Sequence, residues 1–261
     1  PVNVDFKGEI VISTVTHAYR GVSDFSKAFG GSGSCNVNVA CPQSIPMHDQ
    51  VNSAVMLVTG SSGFCSGALI NNQNNDGTPY VLTADHCFKN PSTVIFWFNW
   101  QSATCNNPSS SPSYQSMTGA TTKARWAASD MWLMQINNSI PASYNPFFAG
   151  WNRTSSLPTN EKVWGIHHPS GDIKKISWSS SGLSTTTYLQ NSVPGNGTHW
   201  RVTKWDDGTT TEGGSSGSPL FDSNGNIIGQ LHGGYASCSS NISDWYGKLS
   251  VSWNGGGTSA T

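Results

Sequence analysis

The chain has 261 residues, with 13 Lys and Arg against 14 Asp and Glu, a formal net charge of −1 and only 10% charged residues. That balance lacks the electrostatic footprint of a nucleic-acid binder, and no run approaches the ~20 apolar residues of a membrane-spanning helix. A chain of this length buries a sizeable core without needing covalent staples, and its N-terminus lacks the basic, apolar, small-residue order of an export signal.

Gly, Ser, Asn and Thr are abundant, and short apolar runs recur between turn signals, which is the texture of an all-β protein. In chain order, strands are predicted at 9–15, 54–59, 67–70, 80–83, 94–100, 131–136, 162–166, 175–178, 199–205, 219–221, 227–231 and 246–251. Segments 101–116 and 179–197 are rich in Ser, Asn, Pro and Gly and read as long surface loops. About a dozen short strands imply two barrels or sandwiches. A boundary in 141–150 divides the chain into an N-terminal extension at 1–29 and two halves at 30–145 and 146–261.

The six cysteines are Cys35, Cys41, Cys65, Cys87, Cys105 and Cys238, and none stands in a CxxC pair. An even set of this kind reads as disulfides rather than a zinc or redox site, and disulfides place the protein outside the cytoplasm, as a secreted chain. Six cysteines allow 15 pairings. One follows from local sequence, because Cys65 and Cys87 lie symmetrically about the turn signal Asn75-Asp76-Gly77.

Three stretches carry chemistry. In Thr211-Glu212-Gly213-Gly214-Ser215-Ser216-Gly217-Ser218-Pro219-Leu220-Phe221, a Gly/Ser turn runs straight into an apolar strand. Such a turn exposes a hydroxyl while backbone N–H groups point at the same spot, which is what acyl transfer requires. Ser216 is the candidate nucleophile, and the amides of Gly214 and Ser216 are the candidate oxyanion hole. The strand ending in Thr83-Ala84-Asp85-His86-Cys87 offers His86 as a tethered general base. Finally, Ser129-Asp130-Met131-Trp132-Leu133-Met134 places an acid directly before an apolar strand, where it can hold an imidazole tautomer. Each stretch alone has an ordinary structural reading as a turn or loop; the three in the order His, Asp, Ser outweigh it.

With these motifs the sequence resembles the trypsin-like serine peptidases, and specifically the bacterial lysyl endopeptidases. The resemblance runs from about Gly30 to Gly257 and includes Gly33-Ser34-Cys35-Asn36-Val37-Asn38-Val39, Ile166-His167-His168-Pro169 and Gly229-Gln230-Leu231-His232-Gly233-Gly234. It implies two six-stranded antiparallel β-barrels with the site in the cleft between them, and disulfides Cys35–Cys238, Cys41–Cys105 and Cys65–Cys87. It implies a monomeric enzyme acting on proteins and peptides, with no cofactor.

Primary specificity in such a fold lies in a pocket beside the nucleophile. In trypsin-like pockets the acid that binds Lys or Arg lies six residues before the serine, a position held here by Thr210. The resemblance to lysyl endopeptidases implies Asp244 as the pocket acid and hence cleavage after lysine, with Thr211 and Gly233 also binding substrate and His232 beside the site, on the strand where the substrate backbone pairs, stacking on an aromatic or lining the pocket. Arginine is the nearest alternative. A glutamyl preference is a rival, disfavoured because an acid in the pocket repels a glutamate side chain; an inactive binding module is disfavoured because all three triad positions are filled. Adjacent His167 and His168 would point to opposite faces of a strand and therefore read as structural rather than metal ligands. Because Ser215 precedes the nucleophile, no acid stands there to pair with a freed N-terminal ammonium. Cleavage after Lys27 would remove the extension.

Overall fold

The computed structural model describes residues 29–60, 62–157 and 160–255. The strand expected at 9–15 and the cleavage expected after Lys27 lie outside those residues.

Among the described residues fifteen strands follow one another: β1 Val37–Asn38, β2 Ala54–Thr59, β3 Ser62–Ile70, β4 Tyr80–Ala84, β5 Ile95–Phe98, β6 Gln115–Thr118, β7 Ala120–Trp126, β8 Met131–Ile136, β9 Val163–His167, β10 Lys175–Ser179, β11 Leu183–Thr186, β12 His199–Val202, β13 Pro219–Phe221, β14 Ile227–Gly234 and β15 Asp244–Lys248. They form two antiparallel sheets, one of seven strands in the order β6-β5-β2-β3-β4-β8-β7 and one of eight in the order β1-β10-β9-β13-β14-β15-β12-β11. This is the expected all-β, two-sheet plan, with more strands than six per sheet. The four strands with no counterpart among those predicted (β1, β6, β7 and β11) are the four sheet edges. Each has one side without a partner strand among the described residues, and its side chains are largely polar and partly exposed. Segment 179–197, expected as loop throughout, therefore contains edge strand β11. The segment expected as strand at 246–251 is strand only to Lys248, the end of β15, and then turns into a short helix, α1 Leu249–Trp253, whose Leu249 and Ser252 are buried.

Each sheet encloses its own core. Val55, Leu57, Leu69, Val81, Phe96, Trp132 and Met134 fill the seven-stranded sheet, and Val163, Trp200, Val202, Trp205, Leu220, Leu231 and Tyr246 fill the eight-stranded one. A third cluster, with Ala54, Ile70 and Leu82 from one sheet and Trp164, Ile166, Ile176 and Phe221 from the other, cements the two together. Strands such as β2 are accordingly buried on both faces, which is why their sequences read as unbroken apolar runs rather than alternating ones.

Three disulfides tie this frame: Cys35–Cys238, Cys41–Cys105 and Cys65–Cys87. The first and the Val37↔Ile176 pairing attach the segment after Gly30 to the eight-stranded sheet.

Candidate active site

β4 and β8 pair in register, with Ala84 opposite Met131. The ladder continues one step further, Asp85 N–H donating to Asp130 O at 2.9 Å, so the residues just beyond β4 and just before β8 meet. The Asp130 carboxylate is nearly fully buried. Its Oδ1 accepts the His86 backbone N–H at 2.8 Å and its Oδ2 accepts His86 Nδ1–H at 2.7 Å. Asp130 holds left-handed backbone geometry, φ +54°, a conformation that Asp adopts more readily than most residues. Gln230 on β14 secures this corner from the other sheet, its Nε2 donating to Ser129 O at 2.7 Å and Asp130 O at 3.1 Å. A side chain at residue 247 would collide with the Ser129 carbonyl, so Gly247 is required where β15 passes it. The other side of His86 is fixed by its neighbour Cys87, bonded to Cys65 on β3.

Ser216 arrives from the eight-stranded side. Its carbonyl accepts the Ser66 N–H at 2.8 Å, and the Ser66 hydroxyl donates to Gly214 O at 3.0 Å, which pins the turn to β3. Gly217, at φ +80°, lies so close to Thr83, Ser66 and Ala84 that no Cβ fits. The turn's carbonyls are all occupied: Gly213 O by Ser170 N–H, Gly214 O and Ser216 O by Ser66, and Ser215 O by Ser218 N–H. The N–H groups of Gly214 and Ser216, by contrast, make no hydrogen bond among the described residues. Ser216 is half-buried and His86 is exposed. No hydrogen bond joins Ser216 Oγ to His86 Nε2 in this structure; such bonds are commonly long in unliganded sites and tighten when substrate arrives.

Asp244 is almost wholly buried, at 1% exposure. Its Oδ2 accepts Trp205 Nε1–H at 2.7 Å and Thr211 Oγ1–H at 2.8 Å, and its Oδ1 receives Ala236 N–H at a long 3.4 Å. Burial raises its carboxyl above the ordinary value, and these hydrogen bonds pull the other way. Thr211, five residues before Ser216, thus connects the carboxylate to the nucleophile turn. Thr210 is buried and turns its hydroxyl to the Thr211 carbonyl.

His232, expected beside the site, lies against the His86–Asp130 pair. Its Nε2 is 3.6 Å from Asp130 Oδ2, its ring lies 5.4 Å from that of His86, and Tyr188 stacks on it at 3.5 Å and 2°. Gly233 pairs with Trp245 and lies under the Tyr188 hydroxyl. His199 Nε2 meets His232 Nδ1 at 3.0 Å. Because the Thr198 hydroxyl donates to Asn196 Oδ1, it accepts from His199 Nδ1–H. His199 Nε2 is therefore an acceptor, and His232 carries its proton on Nδ1. Tyr188 and His199 were not marked by the sequence: one is a lone aromatic in a Ser/Thr-rich stretch, the other the first residue of a strand. His167 and His168 are fully buried and face separate partners, Ser215 and Ser177 for the first and the Asp172 carbonyl for the second.

The chain matches the family described as lysyl endopeptidase, C-terminal domain, over residues 29–247, and it belongs to that family. The lysyl endopeptidase of Pseudomonas aeruginosa is 31% identical over 227 residues, which cover 80% of this chain and 46% of that protein. The chain thus spans about half the length of the curated relative it matches. Among solved structures, a serine-to-alanine mutant of Mycobacterium tuberculosis Rv3671c in its inactive form aligns with a TM-score of 0.53 at 14% identity, covering 80% of this chain and 89% of that one. The HtrA-type protease AlgW with a tripeptide aligns at 0.54 and 13% identity, covering 82% and 62%. At these identities the two solved structures bear on the fold alone.

Proposed function

We propose that the chain is a secreted, monomeric serine endopeptidase that cleaves on the carboxyl side of lysine. Residues 30–145 contribute His86 and Asp130, and residues 146–261 contribute Ser216 and the specificity pocket. The observation that carries this reading is the pairing of two features: a buried carboxylate holding both the main chain and Nδ1–H of His86, and a serine turn whose Gly214 and Ser216 amides make no hydrogen bond among the described residues.

His86 Nε2 takes the Ser216 Oγ proton as the oxygen attacks the substrate carbonyl carbon. Asp130 keeps the proton of His86 on Nδ1, leaving Nε2 free to accept, and stabilises the imidazolium that forms. The developing oxyanion is received by the N–H groups of Gly214 and Ser216. On collapse His86 gives its proton to the leaving amine, and water, activated by the same imidazole, then releases the acyl group. The substrate's lysine ammonium is paired by Asp244, supported by Thr211, with His232 and Gly233 along the substrate-facing strand. A buried carboxylate disfavours a glutamate side chain at the same position, which sets the glutamyl alternative aside; arginine is the competitor that pocket depth has to reject.

The test is digestion of a denatured protein mixture by the wild-type chain and by Ser216→Ala, with new C-termini mapped by mass spectrometry. Termini at lysine that vanish with Ser216→Ala are expected. Termini at arginine or glutamate would overturn the specificity, and the absence of Ser216-dependent cleavage would overturn the enzyme.

A further inference from the structure

Ser215, the residue before the nucleophile, is fully buried and engaged in a polar string that the reaction itself does not use. The Ser177 hydroxyl donates to Thr210 O at 2.6 Å. It has one proton, so toward His167 Nε2, 3.1 Å away, it accepts. His167 therefore carries its proton on Nε2, and its bare Nδ1 accepts the Ser215 hydroxyl proton at 2.8 Å. Ser215 Oγ in turn accepts Glu212 N–H at 3.1 Å. Every member has a single defined role, and His167, Ser177 and Ser215 are all at 0% exposure. Burial, aided by the charge of Lys175, holds the His167 pKa down to about 3, so the ring is neutral at working pH and its Nδ1 stays an acceptor.

The string closes the turn around Ser216. Ser215 N–H donates to Glu212 O and Ser218 N–H to Ser215 O, each at 3.0 Å; with the Glu212 N–H to Ser215 Oγ bond these fix the backbone from 212 to 218. In that shape the Gly214 and Ser216 amides make no hydrogen bond among the described residues. Turning Ser215 away from His167 would leave a buried hydroxyl proton without an acceptor, so the alternative turn in which those amides point elsewhere is disfavoured.

We infer that His167 is a positioning residue that presets the oxyanion-binding shape of the Ser216 turn by accepting the hydroxyl of Ser215. The inference rests on the serine peptidase reading of Ser216 and adds to it a residue that touches neither substrate nor reacting atoms.

The experiment compares His167→Phe, His167→Asn and Ser215→Ala with wild type on a lysyl amide substrate. It also follows hydrogen exchange of amides 213–218 in each variant combined with Ser216→Ala. His167→Phe keeps the ring but removes the acceptor. It is expected to lower kcat roughly 10- to 100-fold, the scale of a disturbed oxyanion donor, with KM changed less than about twofold, and to speed exchange of the turn. His167→Asn, whose side-chain oxygen can take the place of Nδ1, is expected to recover most of kcat and the slow exchange. Ser215→Ala, a smaller deletion that carries the test should His167→Phe fail to fold, is expected to lower kcat, and its effect should not add to that of His167→Phe. Folded variants with wild-type kcat and unchanged exchange would overturn the inference, as would a loss confined to KM. Wild type without Ser216-dependent cleavage would overturn the peptidase reading instead, and the exchange comparison would still decide whether His167 orders the turn.

Discussion

Asp130 grips His86 twice, by the main-chain N–H at 2.8 Å and by the ring Nδ1–H at 2.7 Å, with both oxygens of one buried carboxylate. Asp130→Asn keeps the shape but presents an amide N–H to one of these donors, so the imidazole is driven to the wrong tautomer. The expected result is a fall in kcat on the order of 10⁴-fold. Steady-state kinetics, read beside the thermal unfolding midpoint, separates this from loss of fold.

Asp244→Asn preserves acceptors for Trp205 Nε1–H and the Thr211 hydroxyl while removing the charge. An unpaired ammonium in a desolvated pocket costs several kcal/mol, so kcat/KM on lysyl substrates should fall by about 10³-fold. Hydrolysis of a small activated ester without a basic side chain should change far less. Equal loss on both substrates would show that Asp244 supports the fold rather than the pocket.

Stability should decline on acidification. His167, His168 and His199 are held down to about 3 from the ordinary 6.5, chiefly by burial, with Lys175, Lys174 and His232 adding to it respectively. Between pH 6.5 and 3 the unfolded chain binds protons at these rings and the folded chain does not. Their contribution is therefore full above pH 6.5 and is lost as the pH falls through that window, each ring contributing a slope of up to about 1.4 kcal/mol per pH unit. Asp244, whose carboxyl is raised, acts in the opposite sense but is one group against three. Chemical denaturation at pH 7 and pH 4.5 measures the difference, and a flat profile would contradict neutral burial of these rings.

The disulfides should differ in worth. Cys35–Cys238 spans 203 positions and Cys65–Cys87 spans 22. On loop-closure grounds their removal costs about 5 and about 3 kcal/mol respectively. Paired Ser substitutions followed by denaturant titration test the ranking. Loss of Cys65–Cys87 should also lower kcat, because Cys87 adjoins His86.

Central strands and the three motif stretches were legible because both depend on short-range pattern: apolar runs buried on two faces, and a turn abutting each run. The edges were not. β7 reads Ala-Thr-Thr-Lys-Ala-Arg-Trp, where alternation is carried by Thr and Ala rather than by strong apolar residues, and only pairing to β8 makes it a strand. Sequence puts His232 beside the site, but its partners there, Asp130, Tyr188 and His199, come from distant segments. Tyr188 and His167 act through contacts between distant segments, which no local window records.

The two-residue strand Val37–Asn38 precedes the whole seven-stranded sheet in the chain yet lies along the edge of the eight-stranded one, capping Lys175 and Ile176. A ribosome therefore releases the last piece of the second sheet before any of the first, and that piece must wait, unpaired, until β10 emerges. The second half is not a self-sufficient module: a polypeptide cut between residues 145 and 146 would give a second fragment with an uncovered edge and with Cys238 deprived of Cys35, so it should assemble fully only when the first half is supplied with it.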